Sequence, residues 1–385
     1  MAGVERLTNI KGRVLFVATV YTHLAAFHLP FMQLLQGKGY EVHAAASPDQ
    51  GRKEEVEAIG VRCWEIPFSR SPYSLKNWRA FKELYRLFKS CRFDLIHVHT
   101  PVASFLGRYL ARITGQGPVL YTAHGFHFYH GAPLRNWLLY YLAERLAAAR
   151  WTDGLIVMNR EDYDSAVKMG LRPGENLFYV HGIGVDLKKF AGGTGSINIR
   201  EKLGLGKNDI VVTCVAEFSA VKNHAFLLEA WCRFIARTQG TFLWLAGDGG
   251  LRPYFERWVK EKRIGRVHFL KFCRDIPQVL KETDIFVLVS WREGLPRSLM
   301  EAMAAGKPVV ASNVRGNRDL VDHGRTGFLV ELGDVEGLAG YLELLARDEK
   351  LRLALGRAGR EKIGDYSLDK VLAEMDAVYS RYLPS

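Results

Sequence analysis

A chain of 385 residues that is 48% hydrophobic and 24% charged is long enough for two globular domains. Its composition is too balanced for a disordered, collagen-like or low-complexity protein. Lys and Arg number 53 against 41 Asp and Glu, and the resulting formal charge of +12 favours an anionic partner such as a nucleotide, a phosphate or a membrane surface. The chain carries no zinc knuckle, aromatic RNA-recognition signature or long run of like charges, so nucleic acid is not the expected partner.

From Met1 to Lys11 charges mix with few apolar residues, unlike a secretory signal. Short apolar, β-branched runs then alternate with longer amphipathic stretches, as in strand and helix units around a parallel sheet. The expected strands of the first half are Arg13 to Ala18, Glu41 to Ala45, Arg62 to Ile66, Leu95 to Val98, Val119 to Thr122, Gly154 to Met158 and Leu177 to Val180. Between them, Ser74 to Arg92 reads as an amphipathic helix: Leu75, Trp78, Phe81, Tyr85 and Phe88 recur at helical spacing among Lys76, Arg79, Lys82, Arg86 and Lys89. Such a basic, aromatic helix suits the inner membrane surface, or packs its stripe on the sheet, or does both. Leu134 to Arg150, with Trp137, Tyr140 and Tyr141, is a second amphipathic stretch, expected to lie in the core.

Asp186 to Gly206, with Ala-Gly-Gly-Thr-Gly-Ser at 191 to 196, lacks apolar periodicity and reads as an interdomain linker. The alternation then restarts with Ile210 to Val215, Thr241 to Ala246, Val267 to Leu270, Ile285 to Val289, Pro308 to Ala311 and Phe328 to Val330. The expected architecture is α/β, with two Rossmann-like, doubly wound domains facing each other across a cleft and the active site in that cleft. The domains span 11–185 and 198–364, and a last helix over 367–382 crosses back to the first. Cys63, Cys91, Cys214, Cys232 and Cys273 are widely spaced, which suits a reducing cytoplasm better than a disulfide framework or a zinc site. The longest apolar runs fall short of the ~20 residues of a membrane span, so any membrane contact is peripheral.

The stretch with the most chemical content is Glu293-Gly294-Leu295-Pro296-Arg297-Ser298-Leu299-Met300-Glu301, which follows a strand. Gly294 permits close backbone approach, and Pro296 suits a first helical position. The amides around Arg297, Ser298 and Leu299 would then form an anion site fit for a diphosphate. Glu293 and Glu301 flank it; two carboxylates beside a phosphate repel unless each accepts hydrogen bonds from hydroxyls, which a sugar supplies. Asp162-Tyr163-Asp164 matches an Asp-x-Asp metal motif literally, but it opens a polar helix after a strand and reads as a solvated helical start. No metal or other cofactor is expected.

The Glu-x7-Glu segment, the Ala302 to Ser312 stretch after it, Gly316 to Val330, Ala246-Gly247-Asp248-Gly249 and Asp275-Ile276-Pro277 together resemble the signature of family 4 retaining glycosyltransferases of the GT-B fold. That resemblance covers both halves of the chain. It implies that Glu301 holds the ribose hydroxyls of the nucleotide and that Glu293 contacts the donor sugar. Val215 to Asn223 is similar to the family's phosphate segment, Gly-Arg-x5-Lys-Gly, with Lys222 at the phosphate lysine. Ala216 and Glu217 stand where Gly-Arg is usual, so one cation is lost or supplied elsewhere, as by Arg292 or Arg297. His124, in Thr122 to Phe128, resembles the histidine that projects near the donor sugar. Nucleobase contacts are implied near Phe272 and Cys273.

Phe27-His28-Leu29-Pro30, Phe68 to Pro72 and His124 to Tyr129 resemble a subgroup that builds bacterial capsule, exopolysaccharide and lipid-linked glycans. The resemblance implies a UDP-sugar donor and a polyprenyl-diphosphate-linked sugar acceptor. Arg70, His28 and Lys76 are candidates to engage the acceptor diphosphate as cations, although surface charge alone explains each equally well, and His127 is a further acceptor-side candidate. A sugar-nucleotide epimerase, a phosphorylase or a non-catalytic sugar-nucleotide sensor shares this architecture. The complete Glu-Gly-Leu-Pro-x4-Glu motif, with Lys222 and His124, favours transfer of a hexosyl or N-acetylhexosaminyl unit without metal.

Overall fold

The computed structural model describes residues 10–191, 198–270 and 275–384. The chain divides into two compact units, Met1–Ile183 with Lys370–Ser385, and Gly184–Asp369. The first holds a seven-stranded sheet of β1 (Gly12–Val20), β2 (Tyr40–Ser47), β3 (Arg62–Glu65), β4 (Leu95–His99), β5 (Val119–Ala123), β6 (Gly154–Val157) and β7 (Leu177–Tyr179). Its order is β3-β2-β1-β4-β5-β6-β7 and every pairing is parallel. Val14 to Ala18 of β1 are fully buried because helices cover both faces, which is why the strand reads as an unbroken apolar run.

The second unit repeats the plan with β8 (Ile210–Val215), β9 (Thr241–Ala246), β10 (Val267–Leu270), β11 (Ile285–Leu288), β12 (Val309–Ser312) and β13 (Phe328–Val330), in the parallel order β10-β9-β8-β11-β12-β13. Strand order reverses between β1 and β4 in one sheet and between β8 and β11 in the other. In doubly wound sheets the carboxyl ends at such reversals are where ligands bind.

One expectation changes here. The segment 186–206 is not a bare linker, since its described residues form helices Leu187–Ala191 and Ile199–Lys202. Asn198 accepts the Glu201 amide at 3.1 Å, Glu282 accepts the amides of Ile199 and Arg200 at 3.1 and 2.8 Å, and the Arg200 guanidinium donates to the Glu282 carbonyl and Asp284. This helix owes its place to groups some 80 residues away, which local periodicity does not report. Residues from Lys370 onward group with the first sheet: Val371, Met375, Val378 and Tyr379 are buried there, the Tyr379 hydroxyl lies 2.9 Å from His97 Nδ1, and Glu374 accepts from His181.

The helical run after β5 comprises Leu134–Asn136, a wider turn over Trp137–Tyr141, and Leu142–Trp151. It carries a buried ion pair. Arg108, 0% exposed, donates to both carboxylate oxygens of Glu144 at 2.5 and 3.2 Å and lies over the Tyr121 ring. Glu144→Ala strands that guanidinium away from water, and a loss of about 3 kcal/mol is expected in urea unfolding of this unit. An Arg108→Met and Glu144→Leu double variant removes both charges and should recover most of it.

Candidate active site

In the second unit the site begins where β8 ends. The chain leaves Val215, makes a short 3-10 turn at Ala220–Lys222, and enters helix His224–Ile235 through Asn223, whose φ of 53° is left-handed. Asn tolerates that conformation better than most residues, which is how Lys-Asn stands here in place of Lys-Gly. The loop is held from β9 by Gly249: a Cβ there would lie 2.7 Å from the Phe218 carbonyl oxygen, so only glycine allows the approach.

From β11 the chain runs through Trp291 to Pro296 into helix Arg297–Ala304. The Trp291 amide donates to the Val221 carbonyl at 2.8 Å, drawing this loop against the Lys222 turn. On its other side Arg315 Nε donates to the Glu293 carbonyl at 3.1 Å. Gly316, at φ 79°, packs so closely on Gly294 that a Cβ would sit 2.3 Å from its carbonyl oxygen. Arg315 is buried, and its part in bracing Glu293 was not anticipated; only its place beside Gly316, at the head of a quoted motif, hinted at it.

The braced loop brings Glu293 to Lys222, and Nζ meets Oε1 at 2.6 Å with both side chains largely covered. Glu301 lies one turn into the helix, buried, with Oε1 2.7 Å from Arg297 Nε. Burial pushes its carboxyl pKa up, and Arg297 and Lys189 oppose the rise. Pro296 is the residue before the helix rather than its first, with ψ 117°. The amides of Ser298 and Leu299 lie in the first turn, where a helix offers them no acceptor, and the first intrahelical bond runs from the Met300 amide to the Pro296 carbonyl. One ammonium, a helix N-terminus and two carboxylates thus share one corner of the sheet. Leu295 is half-buried and Leu299 fully buried, so Leu299 offers its amide rather than its side chain. Glu217 is exposed and forms no ion pair among the described residues, and Arg297 is engaged with Glu301. Phe272 and Cys273 lie outside the described residues.

In the first unit the strand ends β1, β4 and β5 gather histidines. His23 and His28 follow β1, His99 ends β4 and His124 follows β5; His23 Nε2 lies 3.2 Å from His124 Nε2 and 3.3 Å from His28 Nε2. Burial lowers the His124 pKa to about 4, so the ring is neutral in neutral solution. Thr100, at φ 62°, is a strained position for a β-branched residue. Its hydroxyl accepts the Thr19 amide at 2.9 Å and locks the ends of β1 and β4 together.

The expected acceptor residues separate. His28 is 2% exposed, stacked on His99 at 3.8 Å and held neutral chiefly by burial, so it does not suit the cationic contact with an acceptor diphosphate expected of it. Arg70 is exposed, donates to Gln50 at 2.8 Å, and lies near enough to help depress the His23 pKa. His127 packs against Tyr140, with ring centroids 4.9 Å apart, away from the other histidines. Asp162 corrects another expectation. It is fully buried rather than solvated, and its Oδ2 accepts the Phe126 amide at 3.2 Å and Asn159 Nδ2 at 2.8 Å, whereas Asp164 is exposed. The motif anchors the His124 loop to helix Arg160–Lys168.

Residues 13–157 match the family described as Glycosyl transferase 4-like, and residues 196–362 the family described as Glycosyl transferases group 1. The chain belongs to this glycosyltransferase family and is a glycosyltransferase of the GT-B fold. It is 36% identical over 377 residues to EpsD of Bacillus subtilis, which is named as a glycosyltransferase, covering 96% of this chain and 97% of that one. It is 30% identical over 356 residues, 90% of each chain, to an Escherichia coli UDP-Gal:alpha-D-GlcNAc-diphosphoundecaprenol alpha-1,3-galactosyltransferase. Among solved structures it resembles Anabaena HepE in complex with UDP and glucose, with a TM-score of 0.80 at 20% identity over 96% of this chain and all of that one.

Proposed function

We propose that this protein transfers a hexosyl or N-acetylhexosaminyl unit from a UDP-sugar to a polyprenyl-diphosphate-linked sugar, with retention of anomeric configuration, in the synthesis of a bacterial surface polysaccharide. The observation that carries the reading is the corner formed by Lys222, Glu293, Glu301 and the amides of Ser298 and Leu299 at the β8/β11 reversal. Support for donor and acceptor comes from the Escherichia coli relative, whose name gives a UDP-sugar and a diphosphoundecaprenol-linked sugar, and from a Campylobacter jejuni relative, 23% identical over 96% of this chain, named as acting on a diphospho-undecaprenol-linked sugar.

In this reading Glu301 takes the two ribose hydroxyls, and the amides and Lys222 take the diphosphate. Glu293 orients the donor sugar. The C1 to diphosphate-oxygen bond breaks as the acceptor oxygen bonds C1 on the same face, and the acceptor proton passes to the departing diphosphate. Negative charge grows on that diphosphate in the transition state, where a fixed ammonium and helix amides stabilise it most, so no metal is needed there. The product's anomeric proton coupling, read by NMR, tests this: an α linkage from an α-configured UDP-sugar is expected, and a β linkage contradicts retention.

The same reading places the protein at the cytoplasmic membrane face. Among the described residues no helix is long and apolar enough to cross a membrane. Helices Lys76–Ser90 and Leu142–Trp151, with Pro101–Thr114 between them, pack on one face of the first sheet and are linked by ring contacts from Phe81 to Tyr109 to Trp151. Helix Lys76–Ser90 buries Ala80, Leu84, Leu87 and Phe88 and leaves Trp78 61% exposed. The stretch expected in the core, Leu134 to Arg150, instead leaves Leu134, Leu138, Leu139, Leu142 and Leu146 exposed while Trp137, Tyr140 and Tyr141 pack inward. Arg135, Arg145 and Arg150 border these leucines, an arrangement matched to anionic headgroups. A Leu138→Glu and Leu139→Glu double variant should lower binding to phosphatidylglycerol vesicles at least ~10-fold in cosedimentation, because each leucine contributes about 1.5–3 kcal/mol of apolar transfer that the variant loses.

A further inference from the structure

We propose that the first unit contains a binding site for a divalent d-block cation such as Zn2+, built from His23 Nε2, His28 Nε2, His99 Nδ1 and His124 Nε2. One ring nitrogen from each of these four histidines lies within 4.8 Å of the other three. Three of their separations are 3.2, 3.3 and 3.4 Å. Four ligands at Zn–N distances near 2.0–2.1 Å in a tetrahedron stand about 3.3–3.4 Å apart, so these edges already have the length of an imidazole-ligated centre.

Hydrogen bonding alone does not account for the arrangement. An imidazole nitrogen carries either one proton or one lone pair. Here His124 Nε2 meets both His23 Nε2 and His99 Nδ1, and His23 Nε2 meets both His124 Nε2 and His28 Nε2. Each shared atom would have to give one proton twice, or accept twice at one lone pair, for all three contacts to be good hydrogen bonds. A cation shared by these nitrogens takes one lone pair from each, so no atom has to serve two neighbours with one proton or one lone pair. His28 and His99 are buried, His23 and His124 half-buried, and burial keeps all four rings neutral, the form that ligates.

The backbone explains why the ligands converge. His99 ends β4, His124 follows β5, and His23 and His28 lie on and at the end of helix Tyr21–Phe27, which follows β1, so the ligands gather where three adjacent strands end. Imidazole suits Zn, Cu, Ni and Fe, and an all-nitrogen, oxygen-poor set disfavours Mg2+ and Ca2+. His97 stands outside the set, since its two nitrogens meet Tyr379 and Thr122. The outer nitrogens His28 Nδ1 and His99 Nε2 have no hydrogen-bond partner among the described residues, so the site lacks the outer hydrogen bonds that strengthen histidine ligands, and moderate affinity is expected. A cation here would tie three strand ends together, apart from the diphosphate corner of the second unit.

Cobalt provides the test, because tetrahedral Co2+ absorbs visible light far more strongly than octahedral aqueous Co2+. The tag-free full chain, stripped with EDTA and titrated with CoCl2, should develop that absorption with an end point at one equivalent, and Zn2+ should abolish it. Zn2+ should also raise the melting temperature. His23→Ala, on a half-buried ring, should weaken Co2+ binding more than ~100-fold by loss of a ligand. His99→Ala should do the same if its circular dichroism is unchanged. An absence of visible absorption in the wild type, or an absorption that persists in His23→Ala, overturns the proposal.

Discussion

Lys222→Ala is expected to lower kcat by about 100- to 1,000-fold, the cost of removing one donor aimed at charge that develops in a transition state. The ammonium is fixed by Glu293 at 2.6 Å in a loop braced by Val221, Arg315 and Gly316, so it is held in place rather than recruited. Because charge on the diphosphate grows as the sugar departs, the loss should fall on kcat more than on donor affinity. The substitution also leaves Glu293, whose side chain is 10% exposed, without its cation beside an incoming diphosphate. Adding Glu293→Gln to Lys222→Ala should therefore restore part of the donor binding and none of the turnover. Single-turnover rates at saturating donor would separate the two effects, and a Lys222→Ala rate within threefold of wild type would remove the leaving-group role.

Glu301→Ala is expected to weaken UDP binding about 100-fold or more. A carboxylate receiving two hydroxyl hydrogen bonds contributes about 1.5–3 kcal/mol for each, and loss of both corresponds to at least that factor. The carboxylate is buried, so no ready solvation offsets the pair when the nucleotide leaves, and Arg297 fixes its orientation. Glu301→Gln keeps one acceptor and should cost about tenfold. Arg297 is exposed enough to be hydrated when its partner is removed, so the loss reports the ribose contact rather than a stranded guanidinium. Titration calorimetry with UDP decides it, and undiminished affinity in Glu301→Ala would contradict the assignment.

The sheets were legible because parallel strands are buried on both faces and so announce themselves as continuous apolar runs; β1 and β11 fall where those runs fall. Lys222, Glu293 and Glu301 were legible as motif members, but the ion pair between residues 71 apart depends on β8 lying beside β11, an order that no local pattern states. The histidine cluster shows the same limit. His28 and His124 were conspicuous one by one, while His99 was hidden in the strand Leu-Ile-His-Val-His, and only the neighbourhood of β1, β4 and β5 joins them and His23. Leu134 to Arg150 was misread for another reason. Its apolar residues surround the helix, so periodicity chooses no face, and the aromatic rings took the core contacts while the leucines turned outward. Asp162 was misread because one of its donors, the Phe126 amide, lies on a loop 36 residues away.

The account rests on recognition of a UDP-sugar by the Lys222, Glu293 and Glu301 corner, and the most direct measurement is a thermal-shift panel of UDP, GDP, ADP and dTDP with their common sugar conjugates, in EDTA. A ligand that binds only the folded protein raises its melting temperature, so a shift selective for UDP and one UDP-sugar, abolished in Glu301→Ala, is the predicted result. A shift with another nucleotide and none with UDP, or no shift with any of them, would contradict it.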